Sequence, residues 1–199
     1  MPSMRLAPLA ILLSLAALPA TAANLITNPN FTTDISGWSP MDSGTSLTFD
    51  PSHDANDSPA SGSLMIASNG SGGLAATQCI VSPVGSEFSF GAKIFVGAAP
   101  MYGMTCEAYA SSDCSGSMLD SADAAEGTPG TNEWIPFDSA SPFPVPNGTN
   151  SVLCRITAMQ PVQRAGADAP QGDLGAILVD DVYFGPGTTP VSLQTFIVD

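Results

Sequence analysis

Basic side chains are scarce in this chain. Its 199 residues include 4 Lys and Arg against 18 Asp and Glu, and charged residues make up only 11% of the total. Proteins bind nucleic acids and anionic lipid surfaces mainly by neutralising phosphates with Lys and Arg, so the composition argues against both partners. The hydrophobic fraction is 44%, and these residues are patterned, which argues against intrinsic disorder.

Residues that catalysis would need are also few. The single histidine, His53, lies in a loop-like stretch beside Asp50, Asp54 and Asp57, where a solvated loop histidine is expected rather than a positioned general base. No G-x-S-x-G motif precedes a helix, and the many carboxylates single out no glycosidase pair. We predict no enzyme activity. A small secreted hydrolase stays as a third hypothesis, to be revived if His53 clusters with a carboxylate and a serine in a pocket.

Helical periodicity is missing outside the N-terminal segment. That segment has Arg5, an apolar run over 6–18 and a small-x-small pattern at 20–22, which predicts a secretory signal peptide over 1–23. The apolar run is short for a bilayer span, and nothing like a stop-transfer segment follows. We therefore expect a secreted or periplasmic protein with no transmembrane segment in the mature chain.

Glycine and proline, 19 and 18 residues respectively, divide the remaining chain into short runs. This pattern is typical of an all-β, two-sheet antiparallel β-sandwich or jelly roll. We predict one such domain over 24–186, with 187–199 as a C-terminal tail or edge strand. The candidate strands are Asn24–Thr27, Ser46–Asp50, Ser63–Ala67, Ala76–Ser82, Glu87–Gly97, Met104–Ala110, Glu133–Asp138, Ser151–Met159 and Ala176–Phe184.

Alternation within three of these strands places a chemically mixed set of side chains on the outward positions. These are Lys93, Phe95, Glu107, Tyr109 and Arg155. If the three strands lie side by side, the set forms a ligand-binding patch with the aromatic and charged groups that sugar recognition uses. The alternative is an ordinary solvated sheet face with a weak cross-strand ion pair between Glu107 and Arg155.

Four cysteines follow the predicted signal peptide: Cys79, Cys106, Cys114 and Cys154. An even number in an exported chain predicts two disulfides, for which three connectivities are possible. Cys106 and Cys154 both fall on inward strand positions, so a buried bridge between neighbouring strands is geometrically possible.

Three segments resemble a known family when taken in order. The first is Asn24-Leu-Ile-Thr-Asn-Pro-Asn-Phe-Thr-Thr-Asp-Ile-Ser-Gly-Trp38, the second Ser61-Gly-Ser-Leu-Met-Ile66, and the third Ile177-Leu-Val-Asp-Asp-Val-Tyr-Phe184. They are similar to the motifs of the carbohydrate-binding-module jelly roll, which is related to the galactose-binding-like fold. The resemblance implies a non-catalytic exported domain that binds a glycan or polysaccharide through an open sheet face. The alternative is a structural or adhesive extracellular protein without a specific small ligand.

The resemblance carries further implications. Family members often have a structural calcium ion held by a Glu after the opening Phe and by a closing-strand aspartate. Here Thr32 replaces that Glu, which leaves Asp34 and Asp180 as the candidate metal ligands; the alternative is that such carboxylates cap loops.

Two further expectations concern the cysteines and the tryptophans. The segment Ser112–Gly116 is similar to uncharacterised exported bacterial relatives, which implies a Cys79–Cys114 bridge and leaves Cys106–Cys154 as the other. Family sugar sites use exposed Trp or Tyr rings, whereas Trp38 and Trp134 here occupy positions expected to be core.

Overall fold

A computed structural model of the chain describes residues 23–68, 74–95, 101–124, 133–159 and 176–187. Among these residues there are eleven strands and no helix, so no helix in this part of the chain could cross a membrane. The predicted signal peptide lies outside the described residues apart from its last position. The predicted C-terminal tail lies outside them from residue 188 onward.

The strands form two antiparallel sheets. Their bounds are β1 (Ser39–Pro40), β2 (Thr45–Asp50), β3 (Ser63–Ser68), β4 (Leu74–Val81), β5 (Glu87–Phe95), β6 (Met101–Tyr109), β7 (Met118–Asp123), β8 (Trp134–Asp138), β9 (Phe143–Pro144), β10 (Ser151–Met159) and β11 (Ile177–Pro186). Sheet 1 has the order β1-β4-β10-β6-β7. Sheet 2 has the order β2-β3-β11-β5-β8, and β9 also pairs with β5. The predicted two-sheet β-sandwich is confirmed.

The core lies between the two sheets, and alternation along each strand fills it. In β5, Phe88, Phe90 and Ile94 are fully buried, whereas Lys93 and Phe95 are only half-buried. In β10, Val152, Cys154, Ile156 and Ala158 point inward and are completely buried, as the sequence pattern predicts.

Most predicted strands are present, but several details differ. Asn24–Thr27 is not a strand, although the Leu25 N–H donates to the Phe184 carbonyl at 2.7 Å and Ile26 is buried. Three strands were not predicted: β1, β7 and β9. Two of these are only two residues long, and β7 is an edge strand with nearly every side chain exposed. Burial therefore imposes no alternating pattern on β7.

Asn24 explains why the opening motif matters despite the missing strand. Its side-chain oxygen accepts hydrogen bonds from the N–H groups of Ile26 and Phe184, each at 3.1 Å, and its Nδ2 donates to the Val182 carbonyl at 2.7 Å. Further along, Phe31 is completely buried and contacts the Trp38 ring. The opening segment is thus attached to β11 by an amide side chain instead of a strand ladder.

The second motif depends on Gly62. A Cβ at this position would come within 2.3 Å of the Asp50 carbonyl oxygen, a distance that no side chain could adopt without moving the backbone. The glycine therefore permits the close approach of β2 and the loop that leads into β3.

Both disulfides are present with the pairing that the resemblance implied. Cys106–Cys154 joins neighbouring strands of sheet 1 at registered positions inside the core, and both residues are fully buried. Cys79–Cys114 joins the exposed side of β4 to the loop between β6 and β7. No described cysteine is free.

Candidate functional site

The five predicted ligand-binding residues do not form one patch. Glu107 and Tyr109 lie on β6 and Arg155 lies on β10, which are neighbours in sheet 1. Lys93 and Phe95 lie on β5, which belongs to sheet 2. The side-by-side arrangement expected from the sequence is wrong because β5 pairs with β11 and β8, so its outward residues lie on the opposite outer face of the sandwich.

The three sheet 1 residues form a connected group, which we call the Arg155 cluster: Glu107, Tyr109 and Arg155. The Arg155 guanidinium donates to Glu107 Oε1, and the Tyr109 hydroxyl donates to Glu107 Oε2 at 2.7 Å. The side chains of Arg155 and Glu107 are 22% and 15% exposed, so both remain partly accessible to solvent. The hydrogen bond to Glu107, followed by partial burial, raises the pKa of the Tyr109 hydroxyl. At neutral pH the tyrosine is therefore a neutral donor held in a fixed position.

Polar side chains continue the Arg155 cluster across sheet 1. Thr105, registered with Arg155, donates its hydroxyl to Asp123 Oδ1 of β7 at 2.7 Å. On the other side, Arg155 Nη1 is 3.6 Å from the sulfur of Met41, a side chain that is 53% exposed. The outer face of sheet 1 thus presents a row of hydroxyl, carboxylate and guanidinium groups with an apolar neighbour.

One end of this face is bounded by the loop between β6 and β7. The Cys79–Cys114 disulfide attaches the loop to β4, the Cys114 N–H donates to Ser151 Oγ at 3.0 Å, and that hydroxyl donates to the Ser111 carbonyl at 2.7 Å. Tyr109 directly precedes this loop. The disulfide and the Ser151 hydrogen bonds therefore fix the backbone next to Tyr109 and so help to position its ring.

Lys93, by contrast, is committed to an ion pair on sheet 2. Its Nζ lies 2.8 Å from Asp181 Oδ2 and donates to Asn56 Oδ1, also at 2.8 Å. The Asn56 amide in turn donates to the Asp181 carboxylate. Lys93 and Asp181 are only 13% and 12% exposed, which indicates a structural link between β5, β11 and the loop of residues 51–62.

Phe95 belongs to a row of three rings that we call the aromatic row: His53, Phe95 and Trp134. The Phe95 ring centroid is 5.7 Å from that of Trp134 and 6.1 Å from that of His53. Trp134 was expected in the core, but it is registered with Phe95 on the outward side of β8 and is only half-buried. Trp38 is buried as predicted.

His53 is an exposed loop residue, with 52% of its side chain accessible and Nδ1 2.9 Å from Asp50 Oδ2. An exposed loop position argues against the hydrolase hypothesis, which needs this histidine inside a pocket.

The two predicted metal ligands have different surroundings. Asp34 is exposed; its Oδ1 accepts from the Ser36 N–H at 2.9 Å, and this bond is the main cause of its lowered pKa. Asp180 is fully buried, and its two oxygens accept from the N–H groups of Ala55 and Asp181. Burial raises the pKa of Asp180 to about 6. The described residues contain no group of three or more His, Cys, Asp or Glu suited to a metal, and calcium binding stays a prediction.

Sequence reasoning missed the contributions of Met41, Asn56, Asp123 and Asp181. Asp123 lies on an edge strand without a burial pattern, and Met41 lies in the loop between β1 and β2. The closing aspartate pair is visible in the sequence, but its backbone geometry is not: the register shifts between Asp180 and Tyr183, and Asp181 has a φ of 48°. This irregularity directs Asp180 inward to the loop and Asp181 toward Lys93.

Comparison with known proteins shows the fold. No protein-family model and no curated protein matches the sequence. Among solved structures, the chain is similar to the CBM22-2 xylan-binding domain of Paenibacillus barcinonensis Xyn10C, with a TM-score of 0.55 and 17% identity over 83% of this chain and 98% of that domain.

Two similar structures are much longer than the matched domain. The active domain of tailspike protein 4 from bacteriophage CBA120 has a TM-score of 0.58 and 19% identity. The CBM22-1–GH10 xylanase 10B of Clostridium thermocellum has a TM-score of 0.58 and 13% identity. The similar region spans 21% and 29% of those chains and 81% and 83% of this one. This protein has the β-sandwich fold found in carbohydrate-binding modules.

Proposed function

We propose that this protein is an exported, non-catalytic carbohydrate-binding domain whose ligand lies on the outer face of sheet 1. The observation that carries the proposal is the Arg155 cluster, in which a carboxylate holds both a guanidinium and a phenol on an open sheet face. The fold supports the same conclusion, since a similar solved structure is a xylan-binding domain.

The chemistry of the cluster suits a neutral, hydroxyl-rich ligand. A sugar hydroxyl both donates and accepts, and the cluster offers free N–H donors on Arg155 and acceptor positions on Glu107. Because Glu107 already balances the charge of Arg155, the cluster offers little net attraction for an anionic glycan. The half-buried ring of Tyr109 adds an apolar surface for the C–H face of a sugar.

Substitution of Tyr109 tests the proposal. Tyr109→Ala removes the ring without opening a core cavity, so we expect loss of most binding with the fold intact. Tyr109→Phe keeps the ring and loses only the hydrogen bond to Glu107, so it should retain more binding than the alanine variant. Arg155→Ala should weaken binding less than Tyr109→Ala, because its hydrogen bonds exchange with water at small net cost.

The measurement is retardation in native gels that contain soluble xylan, galactan or hydroxyethylcellulose, with circular dichroism as the check on folding. Trp134→Ala is the matched control, since it removes an aromatic side chain from the opposite face. Normal retardation of Tyr109→Ala, or loss of retardation only with Trp134→Ala, would contradict the assignment of the ligand to sheet 1.

A structural or adhesive role is the second candidate, and exposed apolar side chains favour it. Val81, Val84 and Met118 are 57%, 83% and 51% exposed. Val81 and Met118 lie at the end of sheet 1 that carries Tyr109. Such a role predicts protein partners in a cross-linking experiment and no retardation by any polysaccharide.

A further inference from the structure

The aromatic row lies on the outer face of sheet 2, away from the proposed sugar site. It continues across the sheet at registered positions, from Trp134 through Phe95 and Leu178 to Met65. Leu178 is only 7% exposed, yet it does not belong to the core between the sheets. An apolar strip therefore crosses this outer face, and its half-buried rings are accessible from solvent.

A carboxylate borders the aromatic row on the loop side. Asp50 Oδ2 lies 2.9 Å from His53 Nδ1. Lys93, two residues before Phe95 on β5, is already paired with Asp181 and Asn56. The surface thus combines three aromatic rings with the carboxylate of Asp50, whose ion pair among the described residues is with His53 and not with a lysine or arginine.

Aromatic rings attract cations through their negative faces, and the attraction is significant within about 6 Å of a ring centroid. The Phe95 and Trp134 centroids are 5.7 Å apart, so a cation resting above the gap between them can lie within this distance of both. A quaternary ammonium suits the surface better than a primary amine, because it is weakly hydrated and needs no hydrogen-bond acceptors. Its methyl groups would contact the same apolar strip.

We propose that the aromatic row is a second binding site, specific for a quaternary ammonium group of the choline type. The site is independent of the proposed carbohydrate site, since it uses the opposite sheet. Its parts have distinct roles: Phe95 and Trp134 supply the ring faces, His53 borders the site on the loop side, and the Asp50 carboxylate beside His53 contributes a favourable electrostatic potential.

Titration with choline up to about 50 mM tests this site, with 3,3-dimethyl-1-butanol as the uncharged ligand of the same shape. Binding is followed by two-dimensional NMR shifts of backbone amides, in the intact disulfide-bonded protein. We expect saturable shifts at residues of β5 and β8 with choline and a clearly weaker response to the alcohol. Each ring contributes about a 2- to 5-fold change in Kd at an exposed site, so Trp134→Ala should raise the Kd of choline by about that factor.

Two variants complete the design. Trp134→Phe keeps a ring and should bind more tightly than Trp134→Ala, which separates loss of the ring from a general effect of substitution. Tyr109→Ala, on the opposite face, should leave choline binding unchanged. Equal binding of choline and the alcohol, absence of saturable shifts with choline, or unchanged binding by Trp134→Ala would each overturn the proposal.

Discussion

The buried carboxylate of Asp180 should make the stability of this domain fall as the pH rises from 4 to 6. Asp180 is fully buried, and burial is the main cause that raises its pKa from 3.8 to about 6. The charges of Asp181 and Asp54 raise it further, whereas hydrogen bonds from the N–H groups of Ala55 and Asp181 act to lower it.

The sign follows from proton linkage. Between the unfolded and folded pKa values the folded protein binds more protons than the unfolded chain, so the free energy of unfolding decreases as pH rises through this window. A shift from 3.8 to about 6 corresponds to a loss of roughly 3 kcal/mol between pH 4 and pH 7. Below pH 4 the contribution of Asp180 is fully present.

Asp180→Asn isolates this contribution. The amide cannot ionise, so the loss of stability with rising pH disappears. Its NH₂ group, however, replaces one of the two oxygens that accept hydrogen bonds from backbone N–H groups, and that N–H group is left unpaired. The variant should be less stable than the native protein at pH 4 by about 1–3 kcal/mol for the unpaired donor. That deficit should then shrink, or reverse, by about 3 kcal/mol at pH 7.

Urea unfolding followed by tryptophan fluorescence at several pH values from 4 to 8, with both disulfides oxidised, provides the measurement. Asp113→Asn is a suitable control, because this exposed carboxyl in the loop between β6 and β7 has a lowered pKa, caused mainly by a hydrogen bond from Ser115. Its substitution should leave the slope between pH 4 and 6 unchanged. Parallel pH profiles for the native protein and Asp180→Asn would refute the reasoning.

Two further predictions concern the core and the disulfides. Trp38→Ala should destabilise the domain by about 3–5 kcal/mol. Trp38→Phe should cost much less, because the buried indole N–H has no hydrogen-bond partner among the residues that the structure describes. Urea unfolding compares the two variants, and equal losses of stability would contradict the packing argument. Under mild reduction without denaturant, the Cys79–Cys114 bridge should open before the fully buried Cys106–Cys154 bridge, because Cys79 is exposed. Mass spectrometry after thiol labelling reads the order, and simultaneous labelling of all four cysteines would show that access is not limiting.

The sequence predicts the inward and outward residues of the long strands because alternation is a local property. The inward residues of β5 and β10 are buried as expected. Short strands such as β1 and β9 carry too few residues for any period to be visible. The misplacement of Trp134 has a similar cause: β8 has five residues, and Phe137 supplies the buried aromatic instead.

The candidate site could be predicted only in part, because it depends on which strands become neighbours. Alternation correctly places Lys93 and Tyr109 on outward positions, but a two-sheet sandwich has two outer faces. The pairing of β6 with β10 brings Glu107 and Arg155 together across 48 residues of sequence, and that of β5 with β11 brings Lys93 to Asp181. Neither pairing is encoded in a local pattern, since loop closure and packing over the whole chain decide it. The same non-local pairing that separates the predicted patch places a polar cluster on one face and the aromatic row on the other.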